Sequence, residues 1–237
     1  MQTNSINIWV RAAVLISGLL LIPVLMLPMW RIELTAPQYP EGLVLKIFPN
    51  KLGGDVEIVN GLNHYIGMKT LHAKDFIEFT VLPYLIGFFA LLFVVVAIVN
   101  RKVFLYILTG LFLAFAILAM VDFWRWEYDY GHSLDPHAAI QVPGMSYQPP
   151  LLGYKELLNF GAFSIPDAGG WIFFSVGILL FSVTIVQVVL DKKNKKKLSA
   201  ALLLLPLMMF GLNSCNSQPQ PIKVGSDACH FCKMIIS

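Results

Sequence analysis

Two thiols and a thioether crowd into the six residues Cys229-His-Phe-Cys232-Lys-Met234. Thiolate and thioether sulfur are soft ligands that suit Cu(I), and the His230 imidazole stands between the two cysteines. Three chemistries fit this spacing: a soft-metal site, a thioredoxin-like redox pair, and a plain disulfide in an oxidising compartment. Structural zinc takes four ligands from one closed set, and no second Cys or His pair follows. A c-type haem needs His directly after the second Cys, where this chain has Lys233. A second group of candidate ligands lies earlier. His64, Met68 and His72 recur every four residues, which on a helix would align them in one stripe. His132, His137 and Met145 follow in a later polar stretch. His and Met are usable copper ligands. Solvation alone also keeps His out of apolar spans, so their placement is equally what a bare membrane protein would give.

The elements that must position these residues belong to a membrane protein. Of 237 residues, 57% are hydrophobic and 13% charged, against roughly 25% charged in a soluble domain. Mean hydropathy is +0.70. Apolar runs at 8–29, 76–99, 103–124 and 171–190 are each long enough to cross a hydrocarbon core of about 30 Å at about 1.5 Å per residue. The expected fold is therefore an all-α membrane protein with four transmembrane helices and two outward loops, 31–75 and 125–170. In the first loop, β-prone runs at 43–48 and 56–59 flank a Pro- and Gly-marked turn and suggest a small hairpin, with a short helix expected over 60–75. The second loop is dense in Trp, Tyr, Asp and Pro, which argues for order. Arg11, Glu78 and Asp122 lie near span ends, where snorkelling accounts for them.

Basic residues set the expected orientation. Arg101-Lys102 and the lysines of 192–197 lie beside spans and on one side of an alternating four-span chain, which the positive-inside rule makes cytoplasmic. Residues 191–214 then read as a basic run followed by a short apolar segment, the pattern of a secretory signal placed internally. Leu212-Asn-Ser-Cys215 resembles a bacterial lipobox, which implies cleavage before Cys215 and its lipidation. A fifth helix is the competing reading of residues 198–211. No basic patch interleaved with aromatics points to nucleic acid. Neither a phosphate-binding loop, a dinucleotide fingerprint nor a Ser-His-Asp pattern is present, so no enzyme activity is expected.

Asp227-Ala-Cys-His-Phe-Cys-Lys-Met-Ile-Ile236 after a lipobox resembles the start of the NosL family, lipid-anchored periplasmic copper chaperones that serve nitrous oxide reductase maturation. The family pattern has Gly where Lys233 stands. The resemblance covers residues 212–237 and implies that 215–237 begin a longer copper-binding lipoprotein domain. It implies Cu(I) as the bound metal, with Cys229, Cys232 and Met234 as ligands and His230 as an auxiliary one. Residues 60–171 are similar, more weakly, to small membrane proteins encoded beside such chaperones. The resemblance implies a protein of the bacterial inner membrane that contacts membrane lipid and a periplasmic copper acceptor, nitrous oxide reductase or its assembly machinery. Two other functions fit the residues. One is a redox membrane protein passing electrons to a periplasmic reductase; the other is a structural scaffold without metal.

Overall fold

The computed structural model describes residues 4–193 other than Pro143, Met145, Leu158 and Asn159. The lipobox-like Cys215, the Cys229, His230, Cys232 and Met234 group, the apolar 198–211 segment and Met145 lie outside the described residues. Within them the chain forms five α-helices and one five-stranded antiparallel sheet. The expected all-α four-span fold is thereby corrected to a mixed α/β one. Three helices, α3 (Glu78–Val99), α4 (Lys102–His132) and α5 (Ala168–Lys193), are long and apolar enough to cross a membrane. The first, α1 (Ile8–Val24), is apolar but only 17 residues long, or about 26 Å at about 1.5 Å per residue. Pro23 sits inside its last turn, and Pro28 favours an extended conformation for the residue before it. Hydropathy continues through Met29, but the helix does not.

The helices pack around an apolar core. Val10, Val14, Leu21 and Val24 recur at helical spacing on the buried face of α1, which packs mainly against α3 and α5. Phe93 and Phe112 are buried at the centre, and the Phe112 ring stacks on Phe173 with centroids 4.8 Å apart. A polar latch joins four helices at one end of the bundle. Ile6 N–H donates to Asn100 Oδ1 at 3.0 Å, and Asn7 N–H donates to Gln187 Oε1 at 2.8 Å. Lys102 Nζ lies 2.5 Å from Asp191 Oδ1, which also accepts from Gln187 Nε2 at 3.1 Å. Because this end also carries Arg101 and Lys192, it is the basic end of the bundle.

At the opposite end lies the sheet. Its strands are β1 (Trp30–Ala36), β2 (Tyr39–Ile47), β3 (Leu52–Gly54), β4 (Gly153–Leu157) and β5 (Phe160–Pro166), in the order β3-β2-β1-β5-β4. Period-two alternation places Trp30 and Ile32 of β1 beside Leu43 and Leu45 of β2 on one buried face. β1 follows directly from α1 and β5 leads directly into α5, and β1 pairs with β5 from Trp30↔Pro166 to Thr35↔Gly161. The two polar loops are thus halves of one sheet. Trp30 Nε1 donates to Ser164 Oγ at 2.8 Å across this pairing, and Ser164 is 0% exposed. Losing such a buried bond costs about 1–3 kcal/mol because the partner is left dry.

Two further expectations are corrected here. The hairpin partner of 43–48 is β1, with only short β3 on the other side, while Val56–Ile66 forms helix α2. Asp55 explains the change: its N–H donates to Val44 O at 2.9 Å, and its carboxylate accepts from Val44 N at 2.8 Å, turning the chain out of the sheet. The second loop does not begin at residue 125. With 31 residues, α4 is about 46 Å long and overruns a hydrocarbon core of about 30 Å. Its last turns rise beside the sheet, where Phe123 lies 5.2 Å from Trp30, ring to ring.

The seam between bundle and sheet is closed backbone to backbone. Gly169 N–H donates to Pro28 O at 2.8 Å and Asp167 N–H donates to Met29 O at 3.1 Å. A Cβ on Gly170 would sit 2.1 Å from Met29 O, whereas one on Gly87 would meet nothing within 4 Å. Gly170→Ala is expected to destabilise the protein by about 1–3 kcal/mol or more through overpacking, and Gly87→Ala to leave it unchanged. Thermal unfolding of the two variants in detergent checks this; equal midpoints would remove the seam from the account of stability.

Candidate functional site

The histidines lie on α2, at the end of α4 and in the segments that follow these helices. α2 stops at Ile66 because Gly67 takes the left-handed conformation (φ 80°), letting Met68 N–H donate back to Asn63 O at 2.9 Å. The stripe of His64, Met68 and His72 that helical spacing would create is therefore not formed. Met68 instead packs with the sheet's hydrophobic core, and His64 and His72 are exposed. Residues 135–140 dock on the end of α2, with Asp135 N–H donating to Gly67 O at 2.8 Å and Ile140 N–H to Tyr65 O at 2.9 Å. This docking brings Asp135 and His137 onto the end of α2 that carries His64. The His137 backbone N–H, donating to Oδ1 at 2.8 Å, holds the Asp135 carboxyl below its ordinary range; weaker contributions come from the His137 and His64 rings. His137 Nδ1 is 3.4 Å from Asp135 Oδ1 on a 90% exposed side chain. His132 sits apart, stacked on Tyr128 with centroids 4.0 Å apart and its Nδ1 2.8 Å from Tyr128 O. Among the described residues no three His, Cys, Asp or Glu side chains close into a metal-holding group.

Beneath this surface is a buried polar network. Asn60 and Asn63, one turn apart on α2, pin the chain that follows. Asn60 Nδ2 donates to Leu71 O at 3.1 Å, its Oδ1 accepts from Leu71 N at 2.6 Å, and Asn63 Nδ2 donates to Tyr130 OH at 3.2 Å. Tyr130 OH donates to Lys69 O, and burial pushes its phenol up. The extension of α4 is thus tied to α2 by hydrogen bonds. Lys69 adds an exposed ion pair to Asp129 at 2.9 Å, of little energetic worth.

One turn from Tyr130 stands Glu127, 0% exposed and with neither carboxylate oxygen hydrogen-bonded. Twenty-five residues past Lys102, it lies about 37 Å up α4, beyond a hydrocarbon core of about 30 Å. It shares a helix face with Phe123, Tyr130 and Gly131, and Tyr147 N–H donates to Gly131 O at 2.9 Å, so residues 147–148 cross just above it. Tyr147 is itself buried with an unpartnered hydroxyl. Burial alone pushes the Glu127 carboxyl up to about 8. Reading 125–170 as a loop hides Glu127 in the sequence. The absence of Gly and Pro between Gly110 and Gly131, and the apolar residues at 120, 123, 126 and 130, were the available signal.

The third feature is an apolar groove of about 610 Å³ where bundle and sheet meet. α3 and α4 meet at the turn around residues 100–101 and part toward the sheet. Leu82 and Leu85 form one wall, Phe115 and Ala119 the other, and Trp30 and Ile47 the roof. Glu78, Asp122 and Arg125 line its mouth, all exposed.

Comparison of the chain with protein-family models, with curated proteins and with solved structures finds no match.

Glu127 makes a pH prediction. Its folded pKa, about 8, exceeds the ordinary 4.5, so the folded state holds a proton that the unfolded chain has released. The Glu127 contribution to stability is then most favourable below about pH 4.5 and falls as pH rises to about 8. At about 1.36 kcal/mol per unit the full loss is roughly 4–5 kcal/mol, reduced as water reaches the charged group. Glu127→Gln is expected to raise the unfolding midpoint at pH 8 by several degrees and to flatten the dependence between pH 5 and 8. A variant with the wild-type slope would place the titration elsewhere.

Proposed function

We propose that this chain is a membrane-bound accessory protein that binds Cu(I) at the periplasmic face of a bacterial inner membrane. In this reading it supports copper delivery to a periplasmic acceptor, nitrous oxide reductase or its assembly machinery. The observation that carries the reading is Cys229-His-Phe-Cys232-Lys-Met234 preceded by the lipobox-like residues 212–215. Cys229, Cys232 and Met234 offer a soft donor set, with His230 beside it. Copper is cargo here, and the function is binding without turnover.

The fold supports the orientation this requires. Arg101, Lys102 and Lys192 gather at one end of the bundle and the sheet stands at the other. By the positive-inside rule the basic end is cytoplasmic and the sheet periplasmic. His137 sits against Asp135 at the end of α2 that carries exposed His64, where the imidazoles are free to meet a metal carried by a partner.

Two measurements test the reading. Full-length protein in detergent is expected to take up Cu(I) in a stoichiometric amount, and Cys229→Ser/Cys232→Ser to weaken that uptake by about tenfold or more, since two of three soft ligands are gone. Equal uptake by the double variant overturns it. Intact mass after expression in a Gram-negative host is expected to include a lipidated fragment that begins at Cys215. A single unlipidated chain would replace the cleaved signal with a further membrane helix.

A further inference from the structure

The groove between α3 and α4 has the chemistry of an amphiphile's site. Its walls are Leu82, Leu85, Phe115 and Ala119, and its only charged lining residues are the three at the mouth, Glu78, Asp122 and Arg125. A volume of about 610 Å³ falls within the roughly 300–1,000 Å³ of small-molecule sites. Glu78 opens α3 and Asp122 and Arg125 lie about 20 residues up α4 from Lys102, so the mouth is at the level where hydrocarbon gives way to headgroups. None of the three makes an ion pair among the described residues. Two carboxylates and one guanidinium, none in an ion pair among the described residues, line the groove where a lipid headgroup would sit.

We infer that this groove is a binding site for one zwitterionic aminophospholipid, its acyl chain in the groove, its phosphate on Arg125 and its ammonium on Glu78 and Asp122. The apolar walls alone would not select a lipid, because surrounding acyl chains are as apolar as the groove. Selection comes from the mouth. A guanidinium takes a phosphate through paired N–H donors, and the two carboxylates favour a headgroup ammonium. An anionic headgroup without an amine would satisfy Arg125 but meet two uncompensated carboxylates. A lipid wedged there would fill the gap that α3 and α4 leave as they part, and so brace the base of the sheet against the bundle. This inference is independent of copper binding.

Native mass spectrometry of the detergent-purified full chain, titrated with phosphatidylethanolamine or phosphatidylglycerol of matched chains, tests it. The expected result is a single retained lipid, with phosphatidylethanolamine favoured roughly fivefold or more, about the worth of one charge contact at a membrane surface. Glu78→Gln/Asp122→Asn, confined to exposed side chains, is expected to abolish or reverse that preference. Ala119→Phe, which fills the groove, is expected to lose the retained lipid of either kind. Equal retention of the two lipids by the wild type would mean only surrounding lipid, and overturns the site. So does a double variant that keeps the preference, which decides the matter even where Ala119→Phe does not fold.

Discussion

The pairing of β1 with β5 is the interaction on which the rest of the structure depends. α1 runs into β1 and β5 runs into α5, so the same two chain segments that pack as helices in the bundle continue as paired strands above it. Backbone bonds from Asp167 and Gly169 to residues 28 and 29 close the junction without a gap. Because the strands inherit their spacing from the helices below, β2, β3 and β4 have a fixed edge on which to add. A sheet built from two separate loops would otherwise have to bring ends together across the width of the bundle, at an entropic cost that no short strand repays.

α4 answers a second requirement, which is to fix the sheet's orientation. A sheet attached by a single seam could pivot. The last turns of α4 rise past the hydrocarbon and pack Phe123, Trp126 and Tyr130 in a continuous aromatic run against Trp30 and Phe76. Asn63 and Tyr130 then tie α4 to α2. The same extension carries Glu127 into a dry environment, a destabilising placement that an apolar residue would avoid. Its splay from α3 leaves the apolar groove. Stiffening, a buried acid and an open groove are thus consequences of one long helix.

Chemistry and fold are distributed differently along the chain. The thiols lie beyond residue 193, while the described part offers exposed imidazoles, carboxylates and one guanidinium at the groove. His64 and His137, far apart in sequence, come to one end of α2 because residues 135–140 dock there. His64, Met68 and His72, regularly spaced in sequence, are separated because Gly67 ends the helix between them. Spacing was a poor guide in both directions.

What the sequence by itself determined is the set of long apolar runs at 76–99, 103–124 and 171–190, because burying some twenty apolar residues as a helix depends only on local composition. It also contained the β1 alternation and the uninterrupted stretch that carries α4 to His132, which hydropathy averaging hid beneath the labels of span and loop. The tertiary structure alone decided that the two polar regions share a sheet, since Trp30 and Pro166 are far apart in sequence and meet only because α1 and α5 pack together. It alone decided that Val56–Ile66 is helical despite β-prone residues, because Asp55 turns the chain away from β2 and the sheet core buries Val59. And it alone made Glu127 and the Glu78, Asp122 and Arg125 mouth visible, since burial and the parting of two helices are properties of packing.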